Sequence, residues 1–157
     1  MKKIVLFTAA LFALGMVAFA KPAKVSGWKD VAKIANKNKM EVVNDETIWY
    51  VAKGNGGKDF AIYAIDDYDD IKVTLEMSCI GGEVYSRIIC IDKEADAPFP
   101  MFALGWDDQK CVLANADNLG VYYDDAGLAA WTEECKNQRA KLLGKIAKEY
   151  GLVVPKK

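Results

Sequence analysis

The chain contains no histidine. That excludes Ser-His-Asp and Cys-His nucleophilic sites, histidine acid–base catalysis and every histidine-bearing metal centre. It also contains no CxxC pair, so the usual disulfide-exchange motif is missing, as are the short paired spacings of a four-cysteine zinc site. Neither sign of charge prevails: 21 Lys and Arg stand against 22 Asp and Glu, a formal charge of −1. A basic footprint for nucleic acid or for an anionic membrane is therefore lacking. Past residue 20 no apolar run is long enough to span a bilayer, and there is neither an internal repeat nor a low-complexity stretch.

What is present begins with MKKIVLFTAALFALGMVAFA. Lys2 and Lys3 form a positive start, an apolar run follows, and Ala18-Phe19-Ala20 is a small-x-small cleavage site. The expectation is a signal peptide over residues 1–20, cleaved to leave a single domain at 21–157. The residue directly after the site is Lys21 and not cysteine, so no N-terminal lipid anchor is expected. Loss of Lys2 and Lys3 takes the formal charge from −1 to −3. The expected location is periplasmic or secreted, with no membrane span after processing.

All four cysteines, Cys79, Cys90, Cys111 and Cys135, lie beyond the leader. An even number in an exported domain reads as two disulfides, each adding ~2–4 kcal/mol. Residues 71–80, IKVTLEMSCI, alternate apolar and polar as a half-buried strand does. Gly81-Gly82 suits a two-residue turn, and residues 83–93 return. This hairpin sets Cys79 against Val84 and Cys90 against Val73. The two cysteines then share a face but stand roughly 20 Å apart at ~3.4 Å per residue, too far for a bridge, which needs Cα atoms within about 7 Å. Cys79–Cys90 is therefore disfavoured, and two pairings remain: Cys79–Cys111 with Cys90–Cys135, or Cys79–Cys135 with Cys90–Cys111. The first is preferred, because a strand at 101–106 running back along 83–92 would bring Cys111 level with Cys79.

The remaining pattern predicts a short helix over 27–38 capped by Ser26, with Trp28, Val31, Ile34 and Ala35 on one side. Strands are expected at 47–53 and 58–65 around GNGG, at 101–106, at 110–116 and at 121–123. A long helix is expected over 125–150, ended by Gly151 and bearing Leu128, Trp131, Cys135, Leu142, Ile146 and Tyr150 as an apolar stripe broken by Gln138 and Arg139. The fold class is α+β: an antiparallel meander of about six to seven strands, a short helix at the N-terminus and a long C-terminal helix packed on the sheet.

Two clusters invite chemistry. Asp66, Asp67, Asp69 and Asp70 surround Tyr68 and offer several oxygens to Ca²⁺. They do not match the EF-hand pattern, and a solvated acidic turn is the plainer reading; no other cofactor is expected. Closing the first hairpin with Lys53 opposite Lys58, and the acidic loop with Ile65 opposite Ile71, puts Trp49, Val51, Phe60 and Ile62 on the side away from the cysteines. Trp49 and Phe60 would then join Tyr85 and Arg87 in an aromatic–arginine patch of the kind that anchors interfaces. A one-residue shift at the acidic loop would exchange these faces. These residues point to an exported, non-catalytic module binding a protein or glycan partner, and not nucleic acid. The alternative is a small carboxylate-based hydrolase of a cell-wall or extracellular polymer, with two acids roughly 5–9.5 Å apart across a groove.

Overall fold

The computed structural model describes residues 22–92, 101–105, 111–113 and 125–156. The expected leader at 1–20 and strand at 121–123 lie outside the described residues. Helix α1 (Trp28–Lys37) is followed by β1 (Glu41–Asp45), β2 (Trp49–Gly54), β3 (Asp59–Asp67), β4 (Ile71–Ile80), β5 (Glu83–Asp92), β6 (Met101–Gly105) and β7 (Cys111–Leu113). The C-terminal helix α2 spans Asp125–Tyr150. Among the described residues the strands form one antiparallel sheet in sequence order, β1 to β7, with a helix at each end of the chain. The class is α+β.

Strand β1 has no counterpart in the sequence pattern. Its segment EVVND holds only two apolar residues, and its pairing with β2 slips between Val42 and Asn44. The start of α1 also differs from expectation. Gly27 is the N-cap and no side chain caps it. Ser26 instead donates its backbone N–H (3.1 Å) and its hydroxyl to the Asp30 carboxylate one turn on. The acid sits in the first turn of α1, where the helix dipole favours negative charge.

The β4–β5 hairpin turns at Gly81-Gly82, both at positive φ. Cys79 faces Val84 and Cys90 faces Val73. The two hairpins before it close differently from expectation. Lys53 faces Phe60, not Lys58, because a 3-10 turn at Asn55–Gly57 fills the loop. Strand β3 continues through Asp66 and Asp67, which face Val73 and Lys72. The Tyr68 N–H then donates to the Ile71 carbonyl at 2.8 Å, so the reversal is a tight turn at Asp69-Asp70. Ile65 faces Thr74, not Ile71. That odd offset carries every β3 side chain to the opposite side of the sheet from the one expected.

The physical reason is burial. In this register Trp49, Val51, Phe60, Ile62 and Ala64 join Val73, Leu75, Met77, Cys79, Ile88 and Cys90 in one core. Helix α2 closes it with Cys135, Leu142, Leu143 and Ile146. The alternative register splits the large apolar residues between two faces that one long helix cannot cover. Phe60, Ile62, Leu75, Met77, Ile88 and Ile146 are fully buried, each worth ~1.5–3 kcal/mol relative to exposure. Arg139, one turn beyond Cys135, is also buried.

The other face is covered over part of its width by α1. Val31, Ile34 and Ala35 rest on Ala52 and Ala61, with Val25 and Met40 completing a second, smaller core. The two sheet alanines admit the helix closely. The chain end is fastened as well: Val153 N–H donates to the Gly57 carbonyl at 2.8 Å, and Lys53 Nζ to the Tyr150 carbonyl at 2.9 Å. Asn44 donates to the Tyr150 hydroxyl. Cys79, Cys90 and Cys135 are buried free thiols. The expected Cys79–Cys111 bridge does not fit the sheet: Cys111 faces Leu104, which faces Ile88, four residues along β5 from the Val84 that faces Cys79. Three strand spacings and four residues separate the two, on the order of 20 Å.

Candidate interaction surface

The register decides which side chains stand together on the α1 side of the sheet. Tyr50, Tyr63, Glu76 and Arg87 are consecutive cross-strand partners from β2 to β5. They form a row running across the sheet beside α1. Trp28, in the first turn of α1, closes the row at one end: its ring lies 4.9 Å from that of Tyr50, and Tyr50 lies 6.1 Å from Tyr63. Tyr85, opposite Ser78, flanks the row at the other end.

Glu76 organises this surface. It is 3% exposed, so its charge needs a partner. Arg87 supplies a two-pronged one: Nε donates to Oε2 at 3.0 Å and Nη2 to Oε1 at 2.7 Å. The Tyr85 hydroxyl donates to Oε2 at 3.4 Å. The bond to Glu76 holds the Arg87 guanidinium firmly protonated. Burial, with the nearby Glu76 charge, pushes the Tyr63 and Tyr85 phenols up, so both stay protonated donors. A third of the Arg87 side chain remains exposed, and Trp28, Tyr50, Tyr63 and Tyr85 are half-buried. The arrangement is a fixed aromatic row ending in a cation whose orientation is set from beneath.

The four residues proposed from sequence as one patch are not together. Phe60 is completely buried and Trp49 is 9% exposed, both on the α2 side; Lys145 Nζ lies 4.3 Å from the centre of the Trp49 ring. Tyr85 and Arg87 lie on the opposite side. The turn at Asp69-Asp70 separates the pairs. The same turn brings Tyr63 beside Glu76, which the Gly81-Gly82 hairpin places opposite Arg87.

The acidic cluster is dispersed by the same geometry. Asp66 accepts from the Tyr68 hydroxyl at 2.7 Å, Asp67 pairs with Lys72 in the ladder, and Asp69 and Asp70 are exposed at the turn. Among the described residues no group of three or more His, Cys, Asp or Glu side chains is placed to hold a metal ion. No helix among them is long and apolar enough to cross a membrane. Among the described residues, grooves of about 390 and 300 Å³ carry one carboxylate each, Glu41 and Glu134. Comparison with protein-family models, curated proteins and solved structures finds no match to the chain.

Proposed function

We propose that the chain is an exported, non-catalytic interaction module, and that a partner protein docks on the α1 side of the sheet. The observation that carries this reading is the row Tyr50, Tyr63, Glu76, Arg87 with Tyr85 beside it: half-open rings and an arginine held rigid by a buried acid. Pre-oriented aromatic and arginine side chains lose little freedom on binding, which is what makes them effective anchors. Nε and one Nη2 hydrogen of Arg87 are engaged by Glu76, leaving the rest of the guanidinium donors for an incoming acceptor. The chemistry fits a protein segment that lays an apolar side chain on Tyr63 and Tyr85 and presents a carbonyl or carboxylate to Arg87. A glycan is less well served, because Glu76, the acceptor nearest the rings, is buried and committed to Arg87 and Tyr85.

Support for a non-catalytic role comes from the acids. A paired-carboxylate hydrolase needs two acids facing each other, one of them in a dry pocket. Glu76 is the buried carboxylate among the described residues, and its partners are a guanidinium and a phenol. Among the described residues, the grooves beside Glu41 and Glu134 hold one acid each. Export, to the periplasm or the medium, rests on the leader at residues 1–20.

The test places a photo-crosslinking residue at position 85 of the exported protein, with the same residue at exposed Lys58 as control. The expected result is a discrete crosslinked protein from position 85, absent from position 58 and lost when Tyr63→Ala is added. Equal products from both positions, or crosslinking to polysaccharide alone, would overturn the reading.

A further inference from the structure

We infer that the chain forms one internal disulfide, Cys90–Cys135, which pins α2 to the sheet, and that Cys79 and Cys111 stay unpaired. Both sulfurs of the pair are fully buried in the core between sheet and helix, and the Cys135 thiol is hydrogen-bonded to that of Cys90. Among the described residues Cys79 has no such neighbour. It faces Phe60 on one side and Val84 on the other, at the far end of the ladder from Cys90. Cys111 is three strands away from it by backbone register. A bridge demands Cα atoms within about 7 Å, and Cys90–Cys135 is the pair the fold has brought into contact.

The chemistry is a two-electron oxidation by an external disulfide, a protein or small-molecule donor. One cysteine thiolate attacks the donor, giving a mixed disulfide and releasing the first donor thiolate. The second cysteine thiolate attacks that mixed disulfide, closing Cys90–Cys135 and releasing the second. The two cysteine protons end on the two donor thiols. Timing follows from burial. The bond to Cys90, together with burial, pushes the Cys135 thiol far up, so the docked helix offers almost no thiolate. Closure therefore precedes docking of α2 or requires its first half to lift.

The bridge gives α2 a second anchor. Its far end is already fastened by the bond from Lys53 to Tyr150 and the bond from Val153 to Gly57. Cys135 lies in the other half of the helix.

The test refolds the chain in reduced and oxidised glutathione, blocks free thiols after denaturation and maps the peptides. Trypsin alone leaves Cys111 and Cys135 on one peptide, residues 111–136, so chymotrypsin is added to cut between them. The expected product links the peptide 88–93 to the one carrying Cys135, with Cys79 and Cys111 alkylated. A bridge to Cys79 or Cys111, or four alkylated cysteines, would overturn the inference. A second measurement avoids variants that fail to fold. The double variant Cys79→Ser, Cys111→Ser is expected to keep the full fall in Tm that reductant causes in the parent; loss of that redox-dependent shift would overturn the inference equally.

Discussion

Phe60 lies directly opposite Cys79 in the β3–β4 ladder, and both side chains point into the core beneath α2. This pairing fixes the inside of the molecule. With it, the aromatic pair from β2 and β3, Trp49 and Phe60, becomes core, and Tyr63, Tyr85 and Arg87 become surface.

The face assignment sets an order of stabilities. Phe60→Ala removes a fully buried ring and is expected to cost about 3–5 kcal/mol. Tyr85→Ala removes a half-buried ring at the surface and should cost ~1 kcal/mol or less. Urea unfolding of the two variants checks this; equal losses would put Phe60 and Tyr85 in similar environments.

The Glu76–Arg87 pair should respond unequally to loss of either partner. Arg87→Ala leaves a carboxylate at 3% exposure with only a long bond from Tyr85, and an uncompensated buried charge costs several kcal/mol. Glu76→Ala leaves an arginine already one-third exposed, which water re-solvates, so the loss is expected at about 1–2 kcal/mol. Urea midpoints at neutral pH distinguish the two.

Two adjacent glycines provide an internal comparison. Both have positive φ, but a Cβ on Gly57 would stand 2.1 Å from the Gly151 carbonyl oxygen, while one on Gly56 meets nothing within 4 Å. Gly56→Ala should cost about 1–2 kcal/mol from the left-handed backbone alone. Gly57→Ala should cost clearly more and loosen the tail, seen as faster hydrogen exchange at the Val153 amide.

Tyr68 supplies an alkaline prediction. Burial, the bond to Asp66 and the Asp66 charge push its phenol up to about 12, above the ~10 of an unfolded chain. Its folded pKa is raised, so its contribution is complete below pH ~10 and is lost as pH rises through about 12. Tyr68→Phe should flatten the fall in stability across that window. Spectrophotometric titration at the phenolate band should show one fewer late-titrating group among the seven tyrosines.

The elements with strong local signals were readable from sequence. The Gly81-Gly82 hairpin has the expected register, and α2 runs from Asp125 to Tyr150 with Gly151 beyond it at φ +64. Elements defined by their neighbours were not. Strand β1 lacks an apolar repeat and exists by pairing with β2. The acidic segment reads as a loop because aspartate disfavours strands, yet β3 runs through Asp66 and Asp67. Local propensity could not reveal this, since the gain comes from burying Trp49, Val51, Phe60 and Ile62 together under a helix far along the chain. That three-residue change of register, from Ile71 to Thr74 opposite Ile65, moved half the proposed patch inside. Arg139 likewise reads as an interruption of the α2 stripe but is buried one turn from Cys135.

The central claim is the placement of β2 and β3 side chains relative to the two helices, and the most direct measurement is the set of proton–proton Overhauser contacts from the Phe60 ring. The account predicts contacts with α2 methyl groups, from Leu142, Leu143 or Ile146, and none with Val31 or Ile34 of α1. A Phe60 ring in contact with the α1 methyl groups would contradict it and part Tyr63 from Glu76, Tyr85 and Arg87, which the β4–β5 hairpin holds together.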